Sequence, residues 1–311
     1  MEPRGIELIT RYKRNYGIPA ELEISEEMIL EHWELEKKLT NQLIESKLEN
    51  RWEVFEQAYT NLYSKLEWQN SFALDSKQTQ PVEKYKTWLQ IIGSPPKKIY
   101  EIGSGKGEMI SYFAKCGFEC KATEVTRERG SKHINDSLPN LSWGNSDGVN
   151  LDRFEQTEYY DLVVSSQVVE HFHPDDLTTH FKSAYKILNN QGKYVFTTPH
   201  CHTGPHDISL VFGYDEPQGM HLKEYTYREL KNSLMISGYK FVYCAAPANL
   251  AKLLSTIGIQ KEAIGIFYLN MMLIVENLLF AIPSKKQRRL FSKLLRKVYL
   301  FADNIFLVAQ K

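Results

Sequence analysis

Residues 97–117, KKIYEIGSGKGEMISYFAKCG, constrain the fold more than any other stretch. A short apolar run leads into three glycines at alternate positions, Gly103, Gly105 and Gly107, and a helical pattern follows. Strand, glycine turn and helix form the opening unit of a sheet whose ligands lie beyond the carboxyl ends of its strands. The glycines permit a tight turn and a close approach of backbone to ligand. A dinucleotide-binding turn, G-x-G-x-x-G, would need its third glycine at position 108, which is Glu108. The spacing argues against a pyrophosphate on the helix N-terminus.

The alternation continues downstream. Candidate strands are 98–102, 118–124, 141–144, 160–165 and 193–198, with helices near 107–116, 127–137 and 175–189. A helix at 227–237, opened by the capping-box spacing of Thr226 and Glu229, precedes strand 240–245, and strand 304–309 is last. This pattern predicts an α/β fold: a Rossmann-like, seven-stranded, mostly parallel sheet flanked by helices. Upstream, residues 24–68 read as two helices, with Ser25 able to cap the first. The expected organisation is a helical lid at 1–82, a ligand-binding core at 83–247, a helical insertion at 248–300 and a last core strand within 301–311. The apolar run 263–282 is interrupted by Asn270, Glu276 and Asn277, so it predicts a buried helix rather than a membrane span.

Two carboxylates narrow the ligand. Glu101 ends the first core strand, where it would repel a phosphate but could pair with a cationic amine. Glu124 ends the second, where a carboxylate can accept two hydrogen bonds from a ribose diol. A ribose, no phosphate and a positive end describe S-adenosylmethionine.

YEIGSGKG resembles the first motif of class I S-adenosylmethionine-dependent methyltransferases, and Glu124 matches their second-strand acid. YDLVVSSQVVEHF (160–172) and LNNQGKYVFTTPH (188–200) resemble their fourth- and fifth-strand segments. The resemblance covers about residues 84–245 and the final strand. It implies that Gly103, Ser104, Gly105 and Gly107 line the methionine and ribose, with Glu101 near the amino group. Glu124 would hold the ribose hydroxyls. Asn145, Ser146 and Asp147 would lie at the adenine, although the family more often shows Gly-Asp-Ala there. Gln167 would face the methionine or the sulfonium.

Seven of the nine histidines fall between residues 171 and 221, after the fourth and fifth strands, where an acceptor would lie. In one reading a histidine is the general base, with His206 (beside Asp207), His221 and His171 as candidates. In the other, several hold a metal that acidifies the acceptor. QVVEH resembles the Glu-x-x-Glu-His segment of ubiquinone-pathway O-methyltransferases, which implies a divalent ion, but Gln167 replaces the first acid. A metal is therefore not favoured. His180 reads as a surface residue in mid-helix, and His173 as lying at a helix start. Tyr12 and Tyr16 are candidate lid aromatics.

Formal net charge is zero, so nothing global points to nucleic acid. The four cysteines make no zinc-type set, and a disulfide framework is not expected in a chain of this length. The N-terminus lacks the apolar stretch of a signal peptide. These features predict a reducing, cytoplasmic setting. SKKQRRLFSKLLRK (284–297) carries seven basic residues and no acid, with apolar residues at helical spacing. Such a helix can cover the core with its cations in water, lie on a membrane or dock an acidic carrier at 285–297. The expected activity is methyl transfer to an oxygen, less so a nitrogen, of a small-molecule acceptor. The alternatives are a lipid-linked or carrier-bound acceptor and a catalytically silent S-adenosylmethionine-binding module. No feature of the sequence points to an oligomeric state.

Overall fold

The computed structural model describes residues 2–68, 81–126, 138–246, 258–298 and 300–311. The helices are α1 (Gly5–Tyr16), α2 (Glu26–Ile44), α3 (Arg51–Lys65), α4 (Pro81–Ile92), α5 (Glu108–Lys115), α6 (Leu177–Ile187), α7 (Ser209–Phe212), α8 (Tyr227–Ile236), α9 (Lys261–Phe280) and α10 (Lys285–Lys297). The strands are β1 (Lys98–Ile102), β2 (Glu119–Glu124), β3 (Leu141–Asn145), β4 (Tyr160–Ser166), β5 (Leu188–Pro199), β6 (Phe241–Cys244) and β7 (Asn304–Gln310). The helix expected at 127–137 lies outside the described residues.

The strands form one sheet in the order β3-β2-β1-β4-β5-β7-β6. Strands β1 to β5 pair in parallel, and β7 runs antiparallel between β5 and β6. The sequence order reverses beside β1, so the switch point lies between β1 and β4. Apolar residues of β1, β4 and β5 face both ways. Tyr100, Val163, Tyr194 and Phe196 pack with α6 and α8 on one side, and Ile99, Leu162, Val164 and Val195 pack with α4 and α5 on the other. Burial on both faces explains why these strands read as near-continuous apolar runs.

Local sequence accounts for the helix starts. Ser25 accepts the Met28 N–H at 3.2 Å, and Thr226 and Glu229 close a reciprocal capping box. His173 opens the turn of Pro174–Asp176 by accepting the Asp175 N–H at 3.2 Å.

Helices α1 and α2 pack Leu8, Tyr12, Ile29 and Trp33 on Ile208, Val211 and Phe212. Helices α2 and α3 enclose Met220 with Leu35, Leu39, Tyr59 and Leu62. The N-terminal helices therefore rest on the segment 208–220 that follows β5. Tyr12 is fully buried and bonds His32 Nδ1 through its hydroxyl at 2.8 Å, so it is a core residue and not a lid aromatic.

The apolar run 263–282 forms α9, which packs its inner face on β6 and α8. Glu276, which interrupts that run, is buried. It accepts N–H bonds from Tyr227 (2.7 Å) and Arg228 (3.3 Å) at the start of α8, and the Nε2–H of His200 at 3.0 Å. A carboxylate at a helix N-terminus meets unpaired donors and the positive end of the helix dipole, which offsets its burial. By length and hydropathy α9 could cross a membrane. Its packing on the core and its bonded carboxylate make it a cover helix of this domain.

Candidate active site

A crevice of about 590 Å³ opens at the carboxyl ends of β1, β2 and β4. The turn after β1 forms its floor. Gly103, Gly105 and Gly107 have φ of 65, 55 and 68°, the left-handed region that glycine adopts without strain. At Gly103 a side chain is also excluded by packing, because a Cβ would meet Val168 Cγ2 at 2.6 Å.

Glu124 braces this turn. Its Oε1 accepts the Gly105 N–H at 2.6 Å and its Oε2 the Val125 N–H at 3.2 Å. Glu101 lies below the turn, buried, and its Oε2 has no hydrogen-bond partner among the described residues. Burial, with Glu124 nearby, pushes the Glu101 carboxyl well above the ordinary carboxylate range. The buried Ser104 hydroxyl is likewise unpartnered among the described residues. The crevice is lined by Glu36, Glu101, Glu108, Glu124 and Asp147 against Lys84 and Lys106. Lys84 is bonded to Glu108. The excess of carboxylates favours a cationic ligand over a phosphate.

The loop after β3 supplies the opposite wall through Ser146, Asp147 and Gly148. Asp147 Oδ1 accepts the N–H groups of Val149 and Asn150 at 2.8 Å each, which shapes the loop while Asp147 borders the crevice. Asn145 is not among the lining residues. Its side-chain amide donates to the Glu124 and Val125 carbonyls at 3.0 and 2.9 Å and ties β3 to β2. Gln167 has φ of 57°, lines the crevice and donates to Thr197 Oγ1 at 3.2 Å.

Among the histidines of the described residues, His171 alone lines the crevice. Its Nδ1–H donates to the Met220 carbonyl at 2.8 Å, which makes Nε2 the basic nitrogen of the neutral ring. The His221 ring meets it edge-on with centroids 4.9 Å apart. His221 Nδ1 and Glu224 Oε1 are 2.9 Å apart, and the His206 Nδ1 lies 3.2 Å from Glu224 Oε2. Burial alone would lower the His221 pKa, but the bond to Glu224 and the nearby acids raise it to about 9. Burial alone would raise Glu224, and the two imidazoles overcome it and bring it down to about 2. At neutral pH, then, His221 is a cation on a buried carboxylate rather than a free base. His206 does not line the crevice; it sits on Glu224 and Thr203. One ligand atom each from Glu170, His171 and His221 lie within 4.8 Å of one another, a spacing that could hold a divalent ion.

His180 is not a surface residue. It is fully buried, donates from Nδ1 to the Gly148 carbonyl at 2.6 Å and accepts from the Tyr194 hydroxyl at 2.8 Å. Burial lowers its pKa to about 4, so the ring stays neutral. Tyr194 also bonds Ser165 at 2.8 Å, so a chain of polar groups runs from β4 through β5 and α6 to the crevice wall. His200 and His202 are buried as well, and burial lowers the pKa of both.

Helices α2 and α3 add Glu36, Phe55, Tyr59, Leu62 and Tyr63 to the lining of the crevice. Glu36 binds His32 Nε2 at 2.7 Å and accepts the Met220 N–H at 3.2 Å. Glu36 and Met220 were not recognisable as site residues. The available signal is His32 and Glu36 spaced four apart on the face of α2 that carries Ile29, Trp33 and Leu39.

A model of the methyltransferase domain matches residues 78–243, more than half of the chain. No curated protein matches the sequence. Among solved structures, a SAM-dependent methyltransferase from Archaeoglobus fulgidus is 18% identical over 74% of this chain and 92% of that one, with a TM-score of 0.47. Phosphoethanolamine N-methyltransferase 2 of Haemonchus contortus, in complex with S-adenosyl-L-methionine, is 16% identical over 74% and 52%, with a TM-score of 0.47. An S-adenosylmethionine-dependent methyltransferase from Mesorhizobium loti is 15% identical over 73% and 97%, with a TM-score of 0.43. The family match spans the glycine turn, the acids that end β1 and β2 and five parallel strands, and the chain belongs to the methyltransferase domain family as a class I S-adenosylmethionine-dependent enzyme.

Proposed function

We propose that the crevice binds S-adenosylmethionine on the 103–107 turn and directs its methyl group to an oxygen of a small-molecule acceptor held under α2 and α3. When bound, the cofactor supplies a methyl carbon activated by a sulfonium. The observation that carries the reading is the buried, unpartnered carboxylate oxygen of Glu101 in an acid-rich crevice. An ammonium group of the ligand would satisfy it and restore the ionised form that burial and Glu124 disfavour, whereas a phosphate would face the other carboxylates of the crevice. Glu124 would hold the ribose hydroxyls, Ser146 and Asp147 would border the adenine, and Gln167 would border the methionine.

In-line displacement needs an aligned nucleophile and exclusion of water. Phe55, Tyr59, Leu62 and Tyr63 supply the dry side, which supports residues 1–82 as a cap on the core. We assign the general base to His171 in place of His206, because His171 borders the crevice with Nδ1 committed to a carbonyl. His221 and Glu224 would act as positioning residues for that ring. Calorimetry with S-adenosylmethionine, NAD and ATP tests the cofactor; tight binding of either nucleotide instead would refute the assignment. Release of S-adenosylhomocysteine on turnover with an oxygen acceptor tests the reaction and distinguishes it from a silent binding module.

The approach of Glu170, His171 and His221 favours a second reading, with a divalent ion activating the acceptor. Chelation separates the two: turnover unchanged after dialysis against a chelator supports the histidine base, and loss restored by magnesium or zinc supports the ion.

A further inference from the structure

Helix α10 is oriented the wrong way round for a helix that only covers a core. Its one fully buried side chain is Ser292. The arginines on the same side bond the protein: Arg288 donates to the Phe280 and Ile282 carbonyls, Arg289 to Asp215 and Arg296 to Asp303. Of its apolar residues, Leu295 packs against the core and the others face outward. Leu290, Leu294 and Val298, four apart on one helix row, are 58, 49 and 59% exposed, with Phe291 beside them. Helix α9, which packs on α10, also turns Phe267, Ile274, Leu278 and Phe280 to the outside. A row of large apolar side chains across two adjoining helices marks an interaction surface.

Charge selects the partner. Lys286 starts the outer row of α10, and Lys293 and Lys297 run beside it, each without an ion pair among the described residues. Between residues 263 and 302 the sequence holds one acid, Glu276, which is buried against α8. An apolar stripe bordered by lysines is the pattern of a helix lying in a lipid interface, with the stems of the lysines in the apolar layer and their ammonium groups at anionic headgroups. A second copy of the chain would set these lysines against one another, which opposes pairing through this face.

We infer that the outer face of the α9–α10 hairpin docks the enzyme on an anionic lipid surface. The contact is peripheral, since the inner faces of both helices remain on the core. It is independent of the cofactor assignment.

Co-sedimentation of the full chain with phosphatidylcholine vesicles, with and without phosphatidylglycerol, tests the contact. Binding is expected with the anionic vesicles and should weaken as salt rises. The triple variant Lys286→Gln/Lys293→Gln/Lys297→Gln should lower the partition constant by on the order of a hundredfold. Leu290→Ser/Leu294→Ser should also lower it. These side chains are exposed, so the melting temperatures of both variants should match that of the parent. Failure to bind anionic vesicles, or equal binding by parent and variants, overturns the inference. A concentration-dependent dimer in sedimentation that Leu290→Ser/Leu294→Ser abolishes overturns it too, and reassigns the face to self-association.

Discussion

Glu124 reaches from the end of β2 to the Gly105 N–H, so one carboxylate both braces the turn and faces the crevice. Glu124→Ala should weaken S-adenosylmethionine binding by about 1–3 kcal/mol, the cost of removing a buried acceptor from its donors. Calorimetry showing unchanged affinity would remove Glu124 from the site. His171→Ala should lower kcat by about 10²–10⁴-fold, the range for a lost general base, with cofactor affinity retained. Single-turnover rates check this, with His206→Ala as the comparison, and a larger loss for the latter returns the base to His206. The glycine turn and the acids Glu101 and Glu124 were legible in the sequence because the turn follows a strand directly and each acid lies at or next to the last residue of its strand. The histidines were legible only as a group. The clustering of seven between residues 171 and 221 pointed to a titratable site, yet His180, His200 and His202 are buried structural groups. Burial on a helix face or strand end depends on what packs there, and residue type does not report it.

At the scale of elements, the helical side of the crevice depends on α2 resting on the segment after β5. Trp33 stacks on Phe212 with ring centroids 4.7 Å apart, and Glu36 and Thr40 bond the backbone of Met220 and Gly219. The same segment holds His171 through the Met220 carbonyl. Trp33→Ala should destabilise the protein by about 3–5 kcal/mol, as the loss of a buried Trp does. Denaturant unfolding followed by fluorescence measures it; a change below about 1 kcal/mol would mean that α2 docks by other contacts. Most helix and strand boundaries of the core followed from periodicity to within a few residues, and the Ser25 and Thr226 caps from their spacing, but α1 was not anticipated and β5 begins at Leu188 rather than 193. The docking partner of α2 did not, because Trp33 and Phe212 are joined by packing across most of the chain.

For the molecule as a whole, the pair formed by His221 and Glu224 couples stability to pH. The pKa of His221 is raised to about 9 in the folded state, so its contribution is complete below the unfolded value near 6.5 and fades as pH rises through about 9. Glu224, brought down to about 2, contributes above the unfolded value near 4.5 and loses this as pH falls toward about 2. His221→Gln should therefore destabilise by on the order of 3 kcal/mol near pH 6 and by much less near pH 10. Thermal melts across that range check it, and a difference independent of pH would show that His221 is neutral in the fold. Read alone, the sequence determined the seven-stranded order of elements, the left-handed turn and the acids beside it, because propensity, periodicity and turn chemistry act over a few residues. Only the tertiary structure decided which histidine borders the crevice, that Glu36 and Met220 close it, and that α10 turns its apolar side outward. Those outcomes are set by side chains far apart in sequence competing for the same buried space.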